Sequence, residues 1–398
     1  MALVTVTLFA TVVTTVFRYN VAVSGSEYDA LTSDTYRYLA YGAARWTAGA
    51  PPLELLASGD GTTAVIGISQ LAFTAFGDTW LGVFLFGSLL GLVGGWLSTA
   101  ALFVIRPRAP LFFAYALCVF PSVLYWSSSF GKESMTRLGL GLSLLGLAGL
   151  WRRQGGSVLI SAASLATGLL IVAVIRPEIA LLTLGAGAVA TISVTRPSKR
   201  DDGVPRLRAQ FLLVSTIIAP VVMLVSASIG GINGPPGLVE DLLLRHERTS
   251  IGEAQIGSSR PGGPLGLLLG VPTALFRPFP WEAGISGLAS SLDTAVILAA
   301  LAASWRFRRD WRLPKSTPGR MIVFAVVFGL GITAALAGYG NLGLLVRMRS
   351  LMIPSLLLIV ALLPSLGAQR NEPDLGLAKL TGPRNSPTRS RYGFRAHS

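Results

Sequence analysis

One cysteine, two histidines and a charged share of only 13% leave this chain short of the usual equipment of a soluble enzyme. Cys118 alone excludes an intrachain disulfide framework and any cysteine-based zinc site. His246 and His397 leave little for a histidine-rich metal site or a Ser-His-Asp triad. No metal or cofactor is indicated, and catalysis would have to rest on carboxylates and cations. Acids are scarce too, 19 against 33 Lys and Arg, giving a net charge of +14. No transporter-type internal repeat and no matching pair of broken helices is visible.

What the chain has is apolar sequence. Of its 398 residues 52% are hydrophobic, with a mean hydropathy of +0.61. A soluble protein this apolar would expose large sticky patches, so lipid is the simpler solvent. A span needs roughly 20 mostly apolar residues. Runs of about that length recur at 1–17, 79–104, 110–126, 134–150, 157–174, 178–194, 209–228, 287–304, 320–338 and 350–366. The first lacks a basic leading region and reads as an anchor rather than a cleaved signal. The expected fold is all-α, a polytopic transmembrane bundle of about ten helices. Glycines inside the runs, such as Gly91, Gly94 and Gly95, suit close helix packing.

Segment 61–77 is ambiguous. It is apolar but carries Thr62, Thr63, Ser69, Gln70 and Thr74. With 61–77 lying at the interface, one side of the membrane holds 21 Lys and Arg against 5 acids, in the loops near Arg106, Arg152, Lys199 and Arg306 and in the tail 367–398. The other side holds 12 bases and 14 acids. By the positive-inside rule the basic side is cytoplasmic, with both termini there. The charge is therefore topology, and no nucleic-acid partner is expected. The tail reads as a disordered, membrane-proximal strand.

Candidate chemistry lies on the other, outer side. The loop 18–60 contains Tyr36, Tyr38 and Asp34, and a helix starting near Ser33 would put Asp34, Arg37 and Tyr38 on one face. Asp34 is there either as a helix-start residue favoured by the macrodipole or as a catalytic carboxylate. Lys132 and Glu133 open the 134–150 helix, as capping residues or as a functional pair beside hydrocarbon. Gly131-Lys132 is not a phosphate loop, because Trp126 and Glu133 stand where Gly and Ser or Thr are needed. Arg176, Arg277, Arg347 and Arg349 either snorkel to headgroups or bind a phosphate-bearing substrate. The loop at 231–286 carries amphipathic segments of membrane-surface type around Trp281.

The order of these features resembles the C-type (GT-C) membrane glycosyltransferases. In that family one span is followed by an outer loop with an acidic catalytic residue, then interfacial helices, then a second span. Asp34 matches the loop position, and GTTAVIGISQLAFTAFGDTWLGVFLFGSLLGLVGG resembles the interfacial helix running into span two. A second acidic site between spans three and four falls at Lys132-Glu133. The resemblance covers residues 1–230. The segments Pro121 to Glu133 and Gly340 to Arg347 also resemble polymerase-like membrane proteins of polysaccharide clusters. The best-known family members have a double acidic pair in the first loop and a soluble C-terminal domain, and this sequence has neither.

What the resemblance implies is an inverting glycosyltransferase of the bacterial cytoplasmic membrane, with a polyprenyl-(pyro)phosphate sugar donor and an envelope glycan or glycolipid acceptor. Asp34 would be the base and Glu133 an orienting carboxylate. Lys132, Arg176, Arg277, Arg347 and Arg349, with Tyr36 and Tyr38, would bind substrate. It also implies an organisation of core 1–230 with interfacial helix 61–77, outer loop 231–286, C-terminal spans 287–366 and tail 367–398. The alternatives are an O-antigen-type polymerase and a non-enzymatic transporter of lipid-linked glycans. The few ionisable residues inside the spans count against transport.

Overall fold

The computed structural model describes residues 1–24, 34–57, 61–152, 158–193, 285–306, 317–337 and 342–371, with 272 and 275–277. The expected span at 209–228, most of the 231–286 loop and the tail beyond 371 lie outside the described residues. Every regular element among those described is a helix. Five helical stretches are long and apolar enough to cross a bilayer: Ala2–Val23, Trp80–Ile105, Val158–Ile175, Thr317–Leu336 and Gly343–Leu363, the last running through two helices and the turn between them. The chain is a multi-pass, all-α membrane protein.

In chain order the helices are α1 (Ala2–Ser24), α2 (Asp34–Thr47), α3 (Pro52–Ala57), α4 (Gly61–Phe76), α5 (Trp80–Ile105), α6 (Leu111–Val119) and α7 (Pro121–Ser127). They continue with α8 (Lys132–Arg152), α9 (Val158–Ile175), α10 (Pro177–Ser193), α11 (Ile285–Arg306), α12 (Thr317–Ala337), α13 (Leu342–Arg349) and α14 (Ile353–Asn371). The apolar run 110–126 is two helices, not one. Pro121 lacks an amide hydrogen and disfavours α geometry before it, and Phe120 is extended at φ −57°, ψ 131°.

Helix α8 is the centre of the bundle. It carries Lys132, Glu133, Arg137 and Arg152, too many charges for a helix facing lipid. It therefore packs between α5 and α9. Small residues make this possible. A Cβ added to Gly141 would stand 2.3 Å from the Gly94 carbonyl oxygen of α5, and one on Gly168 of α9 would stand 2.5 Å from that of Gly139. Backbone meets backbone on both sides of α8.

These contacts fix direction. Gly87, Gly91 and Gly94 approach Phe130, Ser134 and Arg137 in turn, so α5 and α8 run parallel. Gly139 meets Val172 and Gly149 meets Ser161, so α9 runs back. Trp96 donates to the Thr7 hydroxyl at 3.0 Å while Tyr19 meets Phe84 edge-on at 5.6 Å, so α1 is antiparallel to α5. The starts of α5 and α8 and the ends of α1 and α9 therefore share one end of the bundle. The opposite end holds Arg106 and Arg152, which close α5 and α8, and Thr317 of α12, bonded to the Trp151 carbonyl at 3.2 Å.

Because α1 and α5 are antiparallel neighbours, α2 to α4 stay at one end. Helix α4 shows this directly. Thr62 at its start meets Lys132, and Phe73 near its finish packs on Trp80. A small separate core, including Tyr38, Leu39, Val65, Phe73, Phe84 and Phe130, fixes α2 and α4 against the ends of α5 and α8. Facing outward from the bundle, α1 exposes Phe9, Val13 and Phe17 and turns Thr7, Thr11 and Thr15 inward.

Candidate functional site

At the end where α2 and α4 cap the bundle, four charged residues from distant parts of the chain meet. Asp34 is the first residue of α2, Glu133 lies in the first turn of α8, Arg176 follows α9 directly, and Arg347 is on α13. Arg347 Nη1 donates to Asp34 Oδ2 at 2.6 Å. Its Nη2 donates to Glu133 Oε2 at 2.7 Å, and its Nε lies 2.5 Å from Glu133 Oε1. Arg176 Nη2 donates to the same Oε1 at 2.5 Å. Residues 313 positions apart in the chain are thus bonded by one guanidinium.

Exposure grades the cluster. The Glu133 side chain is 4% exposed and those of Arg176 and Arg347 are 12% and 13%, but Asp34 is 45% exposed. Asp34 is the carboxylate that a ligand can reach, and Glu133 is locked under it. Side-on engagement by Arg347 is the geometry that suits a planar guanidinium on a carboxylate. Buried ion pairs often add little net stability, because desolvation offsets attraction. Packing therefore gives no reason for two acids and two arginines here.

Tyr38 lies one turn beyond Asp34 on the same face and is 3% exposed. Burial, with the Asp34 charge second, pushes its phenol up to about 12, so it stays neutral at physiological pH. Tyr36 lies on the other face of α2, against Trp80 at 5.6 Å. Two residues of helix turn a side chain to the far side; Tyr36 belongs to packing and Tyr38 to the cluster.

Lys132 donates from Nζ to Thr62 Oγ1 at 2.8 Å, which ties α8 to α4 beside the cluster. Gly131 stands next to the acids. A Cβ placed on it would be 3.7 Å from both Glu133 Oε2 and the Tyr38 ring. The cluster is therefore not choked by its own backbone.

Arg349 and Arg277 fall elsewhere. Arg349 is fully buried and pairs with Asp293 of α11 at 3.3 Å. It also donates from Nη1 to the carbonyls of Leu275 and Arg277, at 3.1 and 2.8 Å. Two residues of helix separate it from Arg347 and aim it into the bundle. The Arg349 guanidinium, expected to bind substrate, is engaged in an internal tie and lies apart from the Asp34 cluster. Arg277 accepts the Nη1 bond through its backbone carbonyl.

Below the acids a small cavity, roomy enough for a water or two, lies between α5, α7 and α8 on one side and α12 and α14 on the other. Glu133 reaches its rim, and Arg137, one turn deeper, lines it. Neither Arg137 nor Asp293 was singled out in the sequence. The signal was an ionisable residue inside each of the runs 134–150 and 287–304. Among the described residues no group of three or more His, Cys, Asp or Glu could hold a metal ion.

Comparison with protein-family models, curated proteins and solved structures finds no match to this chain. The functional reading rests on the site itself.

Proposed function

We propose that the protein is a membrane glycosyltransferase of the bacterial cytoplasmic membrane, moving a sugar from a polyprenyl-(pyro)phosphate donor to an envelope acceptor at the outer face. The observation that carries this reading is the half-exposed Asp34 carboxylate, held by Arg347, which is itself anchored on Glu133, the acid that Arg176 also holds. A base must be positioned and still open to the acceptor, and Asp34 meets both needs. In this reading α2 to α4 lie at the outer interface and the Arg106–Arg152 end faces the cytoplasm, as the positive-inside rule asks.

The chemistry is a single displacement. Asp34 takes the proton of the acceptor hydroxyl through the carboxylate oxygen that Arg347 does not hold. The acceptor oxygen bonds to the anomeric carbon as the carbon–oxygen bond to phosphate breaks, which inverts the centre. The phosphate leaves with the electron pair, stabilised by cations in a water-poor site. Lys132 and Arg176 are the cations for this role, while Arg347 and Glu133 position the base. Positioned proton transfer contributes roughly 10²–10⁴-fold.

A second reading, transport of a lipid-linked glycan, gains from Arg137 and Asp293 inside the bundle, where the sequence promised few charges. One experiment separates them. Purified protein in vesicles is given a polyprenyl-phosphate-linked sugar and an acceptor, with products read by mass spectrometry. Transfer that Asp34→Asn abolishes supports the enzyme. Movement of intact donor across the membrane without transfer supports the transporter.

A further inference from the structure

Helix α2 carries three tyrosines and two arginines, and the helical period sorts them. Thr35, Tyr38, Leu39 and Gly42 form its buried side, and Gly42 lies so close to Ser69 that a side chain there would collide with α4. The opposite arc holds Arg37, Tyr41, Ala44 and Thr47, all exposed. Tyr36 is taken by Trp80 and Tyr38 by the cluster, which leaves Tyr41, 56% exposed, as the tyrosine of α2 open to the outside. Asp34 stands at the edge between the two arcs, which is why its side chain is half exposed.

At about 100° per residue, Asp34, Tyr41 and Arg45 fall within about 40° of one line along the helix, with Arg37 beside it. The line runs about 10 Å from Asp34 to Tyr41 and about 16 Å to Arg45. At its far end Arg45 pairs with Glu54 of α3 at 3.0 Å, and both side chains stay partly exposed. A face with these charges does not sit in hydrocarbon, where ionised groups are costly; it faces water. Its chemistry is that of carbohydrate recognition. A sugar ring turns C–H groups of positive character to the negative face of an aromatic ring, and its hydroxyls accept from a guanidinium. A protein partner would need a desolvated apolar centre, and this stripe offers a single ring.

We propose that this stripe of α2 is the docking track of the acceptor, and that the acceptor is a glycan chain rather than a single sugar. Its reacting hydroxyl lies at Asp34, and a sugar residue further back stacks on Tyr41 and accepts from Arg37. The distance from Asp34 to Tyr41 exceeds one sugar ring, so a single sugar does not reach both. What happens at Asp34 rests on the glycosyltransferase reading; the binding surface stands on the helix face and its continuity with the open carboxylate. Preference for chain length is then set by α2, apart from the residues that do the chemistry.

The test is equilibrium binding to the full chain in phosphatidylcholine nanodiscs. The probes are glycan fractions of increasing length, cut by partial acid hydrolysis from the envelope glycan of cells that make the protein. Affinity is expected to rise with length up to about three sugar residues, the reach of the track. Tyr41→Ala should weaken binding of the longer fractions about 5-fold. Arg37→Gln should weaken it about 10-fold, the worth of one charge-assisted bond. Both should leave the single sugar unchanged, and Tyr41→Phe, which keeps the ring, should bind like wild type. These positions are exposed, so the variants should melt like wild type. Equal affinity for all lengths, wild-type affinity in both Tyr41→Ala and Arg37→Gln, or no binding of any fraction overturns the proposal. So does quenching of Tyr41→Trp fluorescence by brominated phosphatidylcholine, which would place the ring in the bilayer. Binding needs no donor, so the two readings fail separately. Length-dependent binding through Tyr41 with no sugar transfer upholds the track and overturns the transferase; transfer with length-independent binding does the reverse.

Discussion

Two of the arginine–carboxylate assemblies among the described residues are built from the same chemistry and placed differently. Around Arg347, Asp34 is 45% exposed and faces outward. Around Arg349, only two residues on, Asp293 and the arginine are both 0% exposed. The Asp293 pair is completed by Ser122, whose hydroxyl bonds the carboxylate, and by two backbone carbonyls. It ties α7, α11 and α13 to the short stretch 275–277. One assembly closes on itself; the other leaves a carboxylate oxygen open. The difference teaches that ion pairing alone does not mark a site: only a pair that leaves a carboxylate oxygen within reach of a ligand can serve as one.

Variants can break this comparison. The largest effect is expected at Asp34→Asn, a loss of about 10²–10⁴-fold in turnover with little change in thermal unfolding, since the side chain is half exposed. Sugar transfer in vesicles and a melting curve in detergent check it together. Glu133→Gln should cost both quantities, because Arg347 and Arg176 lose a shared buried counter-ion; removing one partner of a buried pair costs about 3–5 kcal/mol. An unchanged melting temperature would show that Glu133 does not hold the cluster.

Asp293→Asn should reduce stability on a similar scale but leave turnover per folded molecule within about 2-fold. The double change Asp293→Leu with Arg349→Met should restore much of that stability, because apolar replacements of whole buried pairs are often neutral. Should Asp293→Asn instead abolish turnover with no loss of stability, the contrast between the two assemblies collapses. Lys132→Met should raise the donor KM by about 10-fold, the worth of one charge-assisted bond, and steady-state kinetics read this. The smallest effect is expected at Tyr36→Phe: no change in kinetics, because the ring packs on Trp80.

Much of this was legible in the sequence, and the limits have physical causes. Apolar runs gave helix positions well. The run 157–174 is α9 at Val158–Ile175, and 79–104 is α5 at Trp80–Ile105. Hydropathy is blind to a single proline within a run, so 110–126 reads as continuous across Pro121. Asp34, Glu133, Arg176 and Arg347 were each legible as charges at the ends of apolar segments. Their joining was not, because contacts 214 and 313 residues apart depend on how helices pack. Helical period separates Tyr36 from Tyr38 and Arg347 from Arg349, but only once a helix and one facing partner are known. Arg137 escaped because counting charges by side of the membrane treats an arginine in a span as a loop residue.

The glycines that seat α8 have a consequence of their own. Gly141 and Gly94 touch neither Glu133 nor Arg137 through a side chain, yet they set the depth at which α8 rests against α5. A methyl group at Gly141 would meet the Gly94 backbone rather than a flexible side chain, so the helix itself would have to move. The acid at the rim and the arginine below it would be carried along as one piece. Substitutions at these unreactive positions should therefore behave like active-site mutations, a misalignment passed along a rigid rod.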